Sequence, residues 1–110
     1  MKGRAVIRQY ETGKRNFSRT KLRRAKLEGA NLQGIDLSWA YLRGANLSGA
    51  NLAEANLMGS DLVDVDLTNA DLSKADLRGA NLLKAEVSKT QLAQAKSLRH
   101  TIMPNGQRHS

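Results

Sequence analysis

Leucine returns at every fifth residue from Leu22 to Leu82 without interruption. Two places before these leucines stand small residues, Ala25, Ala30, Ala40, Ala45, Ala50, Ala55, Ala70, Ala75 and Ala80, with Ile35, Ser60 and Val65 as substitutes. An α-helix turns about 100° per residue, so a step of five rotates each leucine by roughly 140° and scatters them around the cylinder. A flat strand fails as well, because its side chains alternate with period two and would throw successive leucines onto opposite faces. The chain must therefore bend once per five residues. In extended form an Ala-x-Leu triplet points both side chains the same way, and the two residues that follow must turn the corner. Stacking such units places leucine and alanine inside a narrow tube, so the pattern predicts an all-β repeat array.

With leucine third, the units run Thr20-Lys-Leu-Arg-Arg, Ala25-Lys-Leu-Glu-Gly, Ala30-Asn-Leu-Gln-Gly and onward to Thr90-Gln-Leu-Ala-Gln, 15 units over residues 20–94. Arg15-Asn-Phe17-Ser-Arg19 fits only in part: Arg15 falls in the small inward slot and is expected to swing out at the open end. In Ala95-Lys-Ser97-Leu98-Arg99 serine takes the leucine slot, so regular coils are expected to end near residue 96. Residues Ala5 to Gly13 place Val6, Ile7 and Tyr10 on one side of a short helix that stops at glycine. Met103-Pro104-Asn105-Gly106 turns the chain, and Gln107 to Ser110 is expected to fray. The resulting division is an N-terminal helical cap over 1–14, the repeat array over 15–96, and a C-terminal cap and tail over 97–110.

The unit Ala-(Asn/Asp)-Leu-x-x, repeated across residues 20–94, closely resembles the pentapeptide-repeat family. The flanks Arg8-Gln-Tyr-Glu-Thr-Gly-Lys-Arg-Asn-Phe17 and Met103-Pro-Asn-Gly106 are similar to the ends of small cyanobacterial members. The resemblance implies a right-handed quadrilateral parallel β-helix with four units to a coil and about four coils. Leucine would be the inward centre, alanine the inward small residue, and the other three positions would face solvent. At the spacing of paired strands such a rod has a regular length near 18 Å.

Asn or Asp precedes leucine in ten of the eleven slots from Asn31 to Asn81, Tyr41 being the exception. Strand propensity disfavours both residues, so turn bonding or ladders between coils must select them. The same geometry disperses the acids. Asp61 and Asp64 share one face, whereas Asp66, Asp71 and Asp76 fall on three others, so no convergent carboxylate pair is expected. His100 and His109 lie near the C-terminus without a relay, phosphate loop or zinc spacing. Cysteine is absent. No catalytic, cofactor-binding or metal-binding residues are assigned, and the chain is read as a non-enzyme.

Charge is uneven. Ten Lys or Arg against Glu11 give residues 1–26 a balance of +9, while eight basic and nine acidic residues leave −1 over the other 84. Arg4, Arg8, Lys14, Arg15, Arg19 and Lys21 are candidates for contact with an acidic surface. Nucleic-acid binding is compatible with this charge but is not predicted, because aromatics are few. The duplex mimicry of the gyrase-protecting branch of the resembled family ranks last, since it requires an acidic rod and this chain has a pI near 10.3.

Trp39 is the sharpest break in the pattern, standing in a slot where six other units carry glycine. Tyr41 follows around the corner, and Arg43 lies beyond it on the same face, above Arg23 and Arg24. These five residues form a candidate partner-binding patch, because aromatic and arginine side chains supply most hot-spot energy. The preferred reading is a protein-interaction module with a protein partner of unknown identity. Without an apolar run of membrane-spanning length or an apolar leader core, the chain is expected to be cytoplasmic, and its polar faces predict a monomer.

Overall fold

A computed structural model describes residues 1–110. Residues 20 apart pair in parallel, as in the columns Asn16–Asp36–Asn56–Asp76 and Lys21–Tyr41–Asp61–Asn81. Four five-residue units therefore complete one circuit. Each unit meets its neighbours at a single bridged residue and then turns, so no strand extends along the chain. Between circuits the backbone bonds are regular: Leu22 N–H donates to Tyr41 O at 2.7 Å, Arg24 N–H to Arg43 O at 2.9 Å, and Tyr41 N–H to Thr20 O at 3.0 Å. The molecule measures 37 × 23 × 23 Å.

Every corner has the same construction. The N–H of the residue after the corner donates to the leucine carbonyl, as from Ala25 to Leu22 at 3.0 Å. The residue just before that donor has positive φ, the mark of the second central position of a type II turn. Glycine meets the demand at six corners, but nine non-glycine residues also hold φ between 57 and 63°. That conformation costs an L-residue about 1 kcal/mol. The bonds on both sides of each corner hold it there.

The Asn/Asp slot belongs to the same turn. The side-chain Oδ1 accepts the N–H two residues on, at 2.9 Å from Thr68 to Asp66 and 3.0 Å from Met58 to Asn56. This Asx bond recurs from Asn16 to Asn81. Contact between coils is secondary, with Asn51 Nδ2 donating to Asn31 Oδ1 at 3.4 Å. Inside the tube Leu22 through Leu82 are buried with the alanines in one continuous core.

Helix α1 (Gly3–Glu11) lies across the first circuit. Val6 and Tyr10 are buried in the core, and the Tyr10 hydroxyl donates to Gln33 O at 2.5 Å. The Met1 ammonium donates to Lys21 O at 2.8 Å. A Cβ on Gly3 would overlap the Lys26 carbonyl, so only glycine lets the helix approach this closely. Arg15 turns outward, its guanidinium 3.7 Å over the Tyr10 ring and Nη1 3.0 Å from Tyr10 O.

The C-terminal end departs from the sequence expectation in three ways. Thr90-Gln-Leu-Ala-Gln is not a regular unit, because Lys89–Ala93 forms helix α2. Ser88 and Gln91 make a reciprocal capping box, with Gln91 N–H on Ser88 Oγ at 3.0 Å and Ser88 N–H on Gln91 Oε1 at 2.8 Å. In regular register Gln91 N–H would serve Ala70 O. Its side-chain Nε2 does so instead, donating to Ala70 O at 2.9 Å and Leu67 O at 2.6 Å. Leu92 still enters the core.

Secondly, pairing continues beyond residue 96, with Asp76 beside Ser97 and Asn81 beside Ile102. The separation is now 21, because α2 has absorbed one residue. Leu98, one place late by sequence, thereby falls in line with Leu77 and packs against the core. Thr101 takes the alanine slot and is fully buried, its hydroxyl donating to Leu77 O. Thirdly, Gln107 to His109 is no frayed tail. It returns antiparallel, with Met103 N–H on Gln107 O at 2.8 Å and His100 N–H on His109 O at 2.9 Å.

Gln91→Ala should lower unfolding stability by about 1–3 kcal/mol in urea titration, since it breaks the reciprocal capping box and strips the Ala70 carbonyl of its donor, leaving Leu67 O with its corner bond alone. Gln91→Glu should be nearly as damaging, because a carboxylate cannot donate. Wild-type stability in both variants would contradict this role.

Candidate interaction surface

The five candidate residues surround one face of the first two circuits. Trp39 occupies the corner column Arg19–Trp39–Gly59–Gly79, with φ 60°, and remains 49% exposed. Its indole lies across Gly59, one circuit on: a Cβ there would overlap Cε3 and Cζ3 of the ring. Gly59 also has φ 68°, which glycine adopts without strain, and the space beneath the ring admits no larger residue. One side of the indole is thus seated on the rod, and half of its surface is left to solvent.

Tyr41 stands on the adjoining face between Lys21 and Asp61 and is 43% exposed. Its ring cannot accept the Asx bond, so its unit lacks the turn brace that Asn or Asp gives elsewhere. Arg43 binds Asp61, Nη2 to Oδ2 at 3.1 Å and Nε to Oδ2 at 3.2 Å. Arg23 shares an open depression of about 370 Å³ with Met1, Lys21 and Tyr41. Arg24 lies at the opposite corner, its stem beside Gly44. Met1, Trp39 and Tyr41 are the exposed large apolar residues of the molecule, and Met1 and Tyr41 meet in that depression.

The basic candidates divide. Lys21 joins the Tyr41 depression, and Arg4 lines a neighbouring cleft with Lys2, Arg23, Arg24 and Lys26. Lys14 lies 4.8 Å from the centre of the Phe17 ring, and Arg15 is held on Tyr10. Arg8 and Arg19 are exposed elsewhere. Sequence reasoning passed over Met1, Lys2 and Lys26 as site residues. Only the docking of α1 brings Met1 and Lys2 beside Arg23 and Lys26, and no spacing along the chain announces it.

Asp66, Asp71 and Asp76 work within their own units. Hydrogen bonds from the Thr68 side chain and N–H hold the Asp66 carboxyl below the usual carboxylate value, and Ser73 does the same for Asp71. Asp76 is lowered chiefly by its hydrogen bond from Arg78, 2.6 Å from Nη2 to Oδ2, and the Arg78 guanidinium is raised in turn.

A sequence profile described as pentapeptide repeats matches residues 16–38, 35–73 and 60–96, in 8 copies. The chain is similar to the crystal structure of a pentapeptide repeat protein from the cyanobacterium Cyanothece 51142, at 43% identity over 59% of this chain and 44% of that one, TM-score 0.59. A second, from Nostoc PCC 7120, is 40% identical over 93% of this chain and 75% of that one, TM-score 0.42. A third, HetL of Nostoc sp. strain PCC 7120, described as involved in heterocyst differentiation regulation, is 32% identical over 86% of this chain and 51% of that one, TM-score 0.41. The chain therefore spans about half or less of the length of the first and third. No curated protein matches significantly. No helix is long and apolar enough to cross a membrane.

Two tests follow from this geometry. Gly59→Ala should displace the indole and change the emission of the single tryptophan, whereas Gly79→Ala, φ 69° in the same column but clear of the ring, should leave emission unchanged. Both should lose about 1 kcal/mol to backbone strain.

The pH dependence follows from the lowered acids. With folded pKa values below the unfolded ones, Asp66, Asp71 and Asp76 add stability that is complete above the ordinary carboxylate pKa of about 4 and is lost as pH falls through the folded values. Changing all three to Asn keeps the Asx acceptor but removes the titration. Melting temperatures followed from neutral to acid pH should fall less steeply below about pH 4 in the variant. An unchanged slope would reject the assignment.

Proposed function

Because the chain belongs to the pentapeptide-repeat family, whose members are generally structural or interaction modules, we propose that it is a non-enzymatic protein-interaction module. In this reading the rod is a right-handed, four-sided β-helix, with α1 and the C-terminal hairpin as its caps. It acts in the cytoplasm as a monomer. The face around Trp39, Tyr41 and Arg43, with Arg23 and Arg24 below, meets a protein partner. The observation that carries the reading is the seating of Trp39. A half-exposed indole lies on a glycine floor, so it can bury its free side in a partner with little further loss of freedom. Tyr41 and the Arg43–Asp61 pair stand beside it, an aromatic and arginine grouping suited to an interface centre.

The triple change Trp39→Ser, Tyr41→Asn, Arg43→Ser touches no core leucine, so the circular dichroism spectrum should stay that of wild type. Partner capture in a pull-down should be lost. Undiminished capture by the folded variant would remove this face from the function.

A further inference from the structure

We propose that the cleft between α1 and the first circuit receives an acidic polypeptide segment of the partner, a reading that rests on the Arg23–Tyr41 face being a partner surface. Two adjoining depressions, about 630 and 370 Å³, share Met1 and Arg23 and run from the start of α1 to Tyr41. Lys2, Arg4, Lys21, Arg23, Arg24 and Lys26 line them, against Glu28 as the single acid. None of these six cations is in an ion pair, since the molecule's two salt bridges are Arg43–Asp61 and Arg78–Asp76. Four of them leave the coil at its N-terminal edge, and the other two, Lys2 and Arg4, come from the N-terminal end of α1. The helix has thus been docked against like charge, held by Val6, Tyr10 and the Gly3–Lys26 approach. Such concentrated charge in a concave site favours an anionic occupant and raises its rate of association.

The shape selects among anions. A bilayer is broad and cannot follow a cleft closed on one side by a helix. A single nucleic-acid strand is held by successive bases stacked on several rings, and here Tyr41 is the only aromatic lining residue, Trp39 lining neither depression. An extended peptide needs only carboxylates for the Arg forks and Lys ammonium groups and one apolar side chain for the Met1–Tyr41 depression. Its carboxylates on alternate residues would recur every ~6.6 Å along one side.

The test uses the full chain and fluorescein-labelled probes: a twelve-residue alternating Glu-Ser peptide carrying one central Leu, the same peptide with Gln for Glu, oligo-dT of twelve nucleotides, and phosphatidylserine vesicles. The Glu peptide should bind, the Gln peptide should not, and binding should weaken about tenfold as salt rises from low to physiological strength and beyond. Arg23→Glu, Arg24→Glu and Lys26→Glu together should weaken it by about tenfold or more; Arg23→Ser, Arg24→Ser and Lys26→Ser serve if charge reversal disturbs the fold. Removing three cations elsewhere (Lys84→Ser, Lys89→Ser, Arg108→Ser) should leave it unchanged. Equal loss in that control, no peptide binding, or tighter binding of oligo-dT or vesicles would overturn the proposal. Absence of peptide binding by the unaltered chain, with Trp39-dependent capture intact, would sink the cleft alone. Loss of Trp39-dependent capture with peptide binding intact would sink only the interaction face.

Discussion

The corner bond between the leucine carbonyl and the N–H three residues on governs everything else in this molecule. It closes the turn after each leucine and requires a left-handed residue at its second central position, which accounts for the positive φ at successive corners. It also fixes the length of the unit at five. Four such corners bring the chain back over itself, and only then can Leu22 N–H meet Tyr41 O and the rest of the ladder form. A glycine would take each corner without strain. That Glu54, Lys74 and Lys84 take it at φ near 60° shows ladder and Asx bonds overriding residue preference, and Arg24 does so on the ladder alone.

Where the repeat stops, the ladder has to be replaced. At the N-terminal end this falls to α1, with the Tyr10 hydroxyl and the Met1 ammonium supplying donors to first-circuit carbonyls. At the C-terminal end one glutamine substitutes for backbone, since Gln91 caps α2 with one atom of its amide and serves the previous circuit with the other. The helix shifts register by one residue, and Thr101 and Leu98 resume the inward slots. The two ends thus satisfy the same orphan groups by different chemistry.

Surface chemistry collects where the unit is violated. Trp39 replaces a corner glycine and therefore leans on the next one, Gly59. Tyr41 replaces an Asx brace and leaves an exposed ring beside the cations of the first circuit. The acids, by contrast, obey the rule: Asp66 and Asp71 are drawn into their own turns, which lowers their pKa values and uses them structurally.

The sequence by itself determined the bend, the inward leucines and alanines and the outward Trp39 and Tyr41, because a strict period of five constrains each side chain relative to its own unit. The Asx slot was legible for the same reason, its bond reaching only two residues along the chain. The dispersal of the acids depends on four units closing one circuit. Tertiary structure alone decided what depends on distant partners. Gln91 reads as an ordinary unit residue until Leu67 and Ala70 lie beneath it, and Leu98 reads as out of register until α2 has taken up one residue. The cationic cleft forms only because buried apolar contacts press α1 against a coil edge of like charge, a contest between hydrophobic burial and repulsion that no local pattern records.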